Sequence, residues 1–133
     1  MSDISDELLL RYSRQIMLPE IDVAGQEKLL DARVLVIGMG GLGSPAAVYL
    51  ASAGVGELVI SDHDVVDLSN LQRQIVHRQS SLGEAKVVSA KRTLQEINPH
   101  VRVVTVDRKL DSGELTELIG TADVVLDATD NFL

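Results

Sequence analysis

The chain has no cysteine and no tryptophan, and its only aromatic residues are Tyr12, Tyr49 and Phe132. Without cysteine it can form no disulfide, no cysteine-ligated zinc site, and no thiolate nucleophile or thioester of its own. With so few rings the core must be aliphatic. Basic residues are also scarce: 12 Lys and Arg stand against 20 Asp and Glu, a net charge of −8. That balance argues against bulk nucleic-acid binding, which needs a basic surface to neutralise phosphates. It leaves room for a small basic pocket. No apolar run reaches the roughly 18–20 residues needed to span a bilayer. The acidic start MSDISDE lacks the basic opening of a secretory or transit peptide. The expectation is a soluble cytoplasmic protein with neither a membrane nor a nucleic-acid partner.

A hydrophobic fraction of 45% over 133 residues suits one ordered domain. Residues 5–17 read as one amphipathic helix, capped by Ser5, with Leu8, Leu9, Tyr12 and Ile16 on one face. A second helix is expected at 22–32, with Asp22 as its cap. The character changes at Arg33–Ile37 (RVLVI), which reads as a strand buried on both faces. A glycine-rich turn follows, then a small-residue helix at 43–53 stopped by Gly54. Glu57–Ser61 reads as a second strand, and 63–82 as a polar loop with one helical turn at most. A helix over 83–97 turns Val87, Val88, Ala90, Leu94 and Ile97 inward and stops at Asn98-Pro99. A third strand at 101–106, a short helix at 111–120 and a buried fourth strand at 123–127 complete the pattern. Strands alternating with helices predict an α/β, Rossmann-like parallel sheet with flanking helices, preceded by two N-terminal helices. Residues 1–32 form the helical segment and 33–133 the domain, with its sheet incomplete after the fourth strand.

Gly38, Gly40 and Gly43 give G-x-G-x-x-G between a strand and a helix, the context in which this motif cradles phosphate. Glycine lets backbone N–H groups approach a phosphate, and the helix N-terminus adds positive potential. Asp62 lies 22 positions after Gly40 at the next strand end, placed to accept from ribose hydroxyls. The competing reading is a turn used for packing alone. Asn70 and Arg73 are three apart, so one helical turn puts them on one face. Arg73 can fork two phosphate oxygens, and Lys86 offers a point charge, although either residue also suits a solvated surface. Asp127 and Asp130 follow the fourth strand, where a carboxylate can hold Mg²⁺ or simply cap a turn. His63, His77 and His100 have no metal or triad spacing and read as surface or loop residues. Arg14 reads as part of a solvated helix face.

The run GMGGLGSPAAVYLASAGVGELVISDHDVVDLSNLQRQIVH, with GEAKVVSA, INPH and DATDN, closely resembles the ubiquitin-like sulfur-carrier adenylyltransferase family. Its members serve molybdopterin and thiamine biosynthesis and are relatives of ubiquitin-activating enzymes. RYSRQIMLPEIDVAGQEKL is similar as well, so the resemblance covers essentially the whole chain. It implies ATP-dependent adenylation of a carrier's C-terminal glycine carboxylate, with loss of pyrophosphate. It implies that Gly41 lies in the nucleotide turn and that Asp62 binds ribose. Asn70, Arg73 and Lys86 contact phosphates, and Asp130 positions Mg²⁺. Asp64, Ser69, Leu71, Gln72 and Asn131 complete the nucleotide-binding set. The resemblance also implies that Arg14 reaches the partner subunit's ATP across a homodimer.

The departures are equally plain. Family members are normally much longer, so the chain resembles the ATP-binding half alone. The carrier groove and clamp belong to the other half, and zinc enters only if that half supplies cysteines. The edge left after strand four is a pairing hazard. Two other readings stay open: an NAD-dependent oxidoreductase half-domain, and a fragment that only binds nucleotide or dimerises.

Overall fold

The structure is a computed structural model that describes residues 5–66 and 77–129. Three short helices come first: α1 (Asp6–Arg11), α2 (Ser13–Ile16) and α3 (Asp22–Asp31). They are followed by β1 (Arg33–Ile37), α4 (Gly43–Ala53), β2 (Glu57–Ser61), α5 (Lys86–Ile97), β3 (Arg102–Val106), α6 (Ser112–Thr121) and β4 (Val124–Asp127). A 3₁₀ turn, Gln79–Ser81, precedes α5. The four strands form one parallel sheet in the order β3-β2-β1-β4. The expected α/β architecture is therefore the observed one, with β1 and β2 central.

The register sets the site. Ile37 pairs with Ser61 and with Asp127, and Ser61 pairs with Val106. The carboxyl ends of all four strands thus finish in one row, where open α/β sheets carry their ligands. The central strands are aliphatic because both faces are covered. Val34 and Val36 of β1 and Leu58 and Ile60 of β2 join Ala47 and Ala51 of α4 and Val87, Ala90 and Leu94 of α5 in one buried cluster. Leu35 and Val59, equally buried, alternate to the opposite face.

Four expectations need correction. The helix predicted over 5–17 is two pieces, broken at Tyr12 (φ −104°, ψ 16°). Tyr12 is 2% exposed and its hydroxyl accepts from Asn98 Nδ2 at 2.7 Å, so its ring is committed to the domain and not to a continuous helix stripe. Asp22 is the first residue of α3 and not its cap: at φ +55° its carboxylate accepts from the next N–H, that of Val23. Val88 is exposed, because the 3.6-residue period brings Val87, Ala90 and Leu94 inward and leaves it on the flank. β4 is an edge strand with Val124 exposed, not a buried one.

The N-terminal helices clasp the end of α4. Gly54 closes α4 at φ +93°, and the last carbonyls of the helix receive side-chain donors from elsewhere in the chain. Ala53 O accepts from Gln15 Nε2 (2.6 Å) and Gln26 Nε2 (3.1 Å), and Ala51 O accepts from Asn98 Nδ2 (2.8 Å). A Cβ at Gly54 would lie 2.6 Å from both Gln26 Nε2 and Tyr12 Cζ. Gly54→Ala therefore combines a positive φ with a clash, and is expected to cost about 2 kcal/mol or more in urea unfolding. Leu58→Ala should cost about 2–5 kcal/mol by opening a cavity in the core. Tyr49→Ser, at an exposed position, should stay within about 0.5 kcal/mol.

Candidate functional site

A cleft of about 480 Å³ opens at the row of strand ends. Gly38 and Gly40 floor it, Asp62 and Asp64 enter from the end of β2, and Lys86 enters from the start of α5. Gly38 has φ +98°, and a Cβ there would sit 2.8 Å from the Ala128 carbonyl oxygen after β4. A Cβ on Gly43 would lie 1.7 Å from the Gly38 carbonyl oxygen. The turn and the first residue of α4 pack backbone against backbone, which only glycine allows. Gly41 is different. An added Cβ there meets nothing within 4 Å, so packing inside the described chain places no demand for glycine at that position.

Asp62 locks the turn to β2. Its Oδ2 accepts from Met39 N–H at 2.7 Å and its Oδ1 from Asp64 N–H at 2.8 Å. Each oxygen keeps a lone pair for another donor. Lys86 is 7% exposed, and its Nζ lies 4.0 Å from Asp64 Oδ2, whose side chain is exposed. A buried ammonium in the first turn of a helix opposes the helix dipole. Such a cation gains from an anion brought into the cleft.

Ser69, Asn70, Leu71, Gln72, Arg73, Asp130 and Asn131 lie outside the described residues. Arg14 is exposed on α2 and does not line the cleft. Asp127 takes the turn role: its Oδ1 accepts from Thr129 N–H (3.1 Å) and Thr129 Oγ1 (2.8 Å). The structure adds residues that spacing alone does not single out. Arg108 and Lys109, from the loop after β3, stand on the cleft wall beside Leu110 and Leu115. Arg108 is paired with Glu114. The available signal was their place directly after a strand's carboxyl end.

His77 lies in a loop, one of the two places expected for it, but it is buried. It is 3% exposed, not a surface residue, with Nδ1 2.8 Å from Ser89 Oγ and Nε2 3.0 Å from the Met39 carbonyl. Burial is the main cause that lowers its pKa below the ordinary 6.5; the Met39 carbonyl and Asp62 oppose the shift and Lys86 adds to it. The folded chain thus holds a neutral ring where the unfolded chain takes up a proton. That stability is fully present above the unfolded pKa and is lost as pH falls through it towards the lower folded value. Urea unfolding at about pH 7.5 and about pH 5.5 should show a smaller acid-induced loss in His77→Gln than in the parent.

The sheet order, the glycine turn and the strand-end carboxylate define a Rossmann-like α/β domain. The chain belongs to the ThiF family, which it matches over residues 12–133. It is 53% identical over 131 residues to the molybdopterin-synthase adenylyltransferase of Escherichia coli strain K12, covering 98% of this chain and 53% of that protein. It is 48% identical over 128 residues to the sulfur carrier protein ThiS adenylyltransferase of the same strain, covering 96% of this chain and 51% of that one. The crystal structure of E. coli tRNA N6-threonylcarbamoyladenosine dehydratase in complex with ATP matches with a TM-score of 0.89 at 30% identity. That match covers 98% of this chain and 53% of the other. The chain spans about half the length of the curated relatives it matches. Among the described residues no helix is long and apolar enough to cross a membrane.

Proposed function

We propose that this chain is the nucleotide-binding half of an ATP-dependent adenylyltransferase acting on the C-terminal glycine carboxylate of a ubiquitin-like sulfur carrier in the cytoplasm. The observation that carries this reading is the convergence of Lys86, Asp62 and the glycine turn on one cleft. Two relatives near half identity are named for adenylylation, and one names a sulfur carrier. Molybdopterin-pathway and thiamine-pathway carriers are equally compatible with the residues present.

In this mechanism Asp62 accepts from the ribose hydroxyls with the lone pairs its backbone donors leave free. The turn presents N–H groups to the phosphates, and the bare face of Gly41 admits their close approach. Lys86, Asn70 and Arg73 neutralise the phosphate chain. Ser69, Leu71, Gln72, Asp64 and Asn131 line the nucleotide, and Leu110 and Leu115 give the cleft an apolar wall suited to a flat base. The carrier carboxylate attacks the α-phosphorus and pyrophosphate leaves. That carboxylate is ionised at neutral pH, so no general base is needed. The demand on the protein is positioning and charge neutralisation. Mg²⁺ prefers carboxylate and phosphate oxygens, and Asp130 is the residue proposed to hold it, since Asp127 is engaged by Thr129. The ion supplies further charge neutralisation at the phosphates. Residues 1–32 are proposed to contact a second subunit, with Arg14 reaching the partner's nucleotide.

Calorimetric titration with Mg-ATP and, separately, with NAD⁺ tests the reading. Saturable Mg-ATP binding is expected, weakened about tenfold to a hundredfold by Lys86→Ala through loss of a charged contact. Binding of NAD⁺ with no response to Mg-ATP overturns it in favour of an oxidoreductase half-domain. Binding of Mg-ATP without pyrophosphate exchange, when the carrier is supplied, leaves a nucleotide-binding fragment only.

A further inference from the structure

Met39 stands between the first two glycines of the turn, and its two peptide groups are held from opposite parts of the chain. Its N–H donates to Asp62 at the end of β2. Its carbonyl faces His77 Nε2 at 3.0 Å. A carbonyl can only accept, so Nε2 carries the proton. Nδ1 of the neutral ring is then the acceptor, and Ser89 Oγ on α5 donates to it at 2.8 Å. Ser89 is itself buried, and so is the Met39 side chain in the core. The residue is therefore fixed at three points: side chain, N–H and C=O.

The third point bears on the cleft. The Met39 carbonyl and the Gly40 N–H belong to one peptide plane. Holding the oxygen sets the direction of the Gly40 N–H, and Gly40 lines the cleft. Glycine has no side chain to anchor it and loses the most conformational freedom when it is ordered. A turn ordered before the ligand arrives avoids that cost at the moment of binding.

We propose that His77 is a positioning residue whose Nε2–H fixes the Met39–Gly40 peptide plane, so that the glycine turn presents its N–H groups to the phosphates of the nucleotide. This rests on the nucleotide reading above. His77 itself does not touch the ligand. It acts through Met39, and Ser89 selects the tautomer in which it can do so.

Two replacements move the donor, and a third, Ser89→Ala, leaves the ring and its packing in place. Glutamine places an amide nitrogen near the position of Nε2, and asparagine places one near Nδ1. His77→Gln therefore keeps a donor for the Met39 carbonyl, while His77→Asn keeps only a partner for Ser89. Two readouts apply to the full chain: NMR order parameters of the Gly40 and Gly41 amides without nucleotide, and Mg-ATP affinity. His77→Gln is expected to keep the parent's order parameters and to bind within about twofold of it, whereas His77→Asn lowers the Gly40 order parameter and weakens binding by about fivefold to tenfold, the scale of one lost hydrogen bond. Equal behaviour of the two variants overturns the proposal, because only His77→Gln keeps a donor for the Met39 carbonyl. Ser89→Ala keeps the ring and frees its tautomer, so it serves even where His77→Asn does not fold. It should lower the Gly40 order parameter and weaken Mg-ATP binding by about threefold, and unchanged values overturn the proposal. A parent chain that fails to bind Mg-ATP overturns the nucleotide reading, and the order parameters then decide the His77 contact by themselves.

Discussion

The domain is built around the Gly43 position, where a single added carbon would come within 1.7 Å of the Gly38 carbonyl oxygen. Because the chain can double back there, α4 starts directly above the end of β1. From that start its small residues, Ala47 and Ala51, settle onto the sheet with no exposed surface. α5 then packs beside α4, and the two helices seal one face of β1 and β2. A larger residue at Gly43 would lift α4, open this face and displace the turn that floors the cleft. Packing and the candidate site thus rest on the same contact.

The opposite end of α4 is held by different means. Its last carbonyls are met by amides from Gln15, Gln26 and Asn98, and the Tyr12 ring lies against Gly54. These residues come from three separate parts of the chain. The helical N-terminal segment is therefore tied to the domain by polar contacts at a helix end as well as by apolar burial. Unsatisfied helix carbonyls are costly when buried, and a cluster of side-chain amides is an economical way to satisfy them. Position-by-position patterning gives no hint of it, since Gln15 and Gln26 look like ordinary solvated residues.

Much of the architecture was legible in the chain. β1, β2 and α4 lie where their residue patterns place them, because a continuous aliphatic run and a small-residue helix bounded by glycines have few alternative structures. The misjudged elements share a cause. Tyr12 leaves the helix stripe for a partner 86 positions away, Asn98. Val88 and β4 read as buried when burial is inferred from apolar side chains alone, which do not say which residue falls on a helix flank or which strand at an edge. In the candidate site, the glycines and Asp62 could be read from spacing, whereas spacing left Lys86 open between the cleft and a solvated surface. Arg108, Lys109 and the burial of His77 could not, because they depend on which loops meet at the strand ends.

The sequence by itself determined the alternation of strand and helix, the glycine turn after the first strand, the aliphatic core and the exclusion of cysteine chemistry. These follow from local residue preferences and from composition, which need no knowledge of distant neighbours. Tertiary structure alone decided the order β3-β2-β1-β4, the polar clasp on α4 and the buried hydrogen bonds of His77 to Met39 and Ser89. Each of these joins groups far apart in the chain, and a hydrogen bond between them exists only once the packing of apolar surfaces has brought them to within about 3 Å of each other.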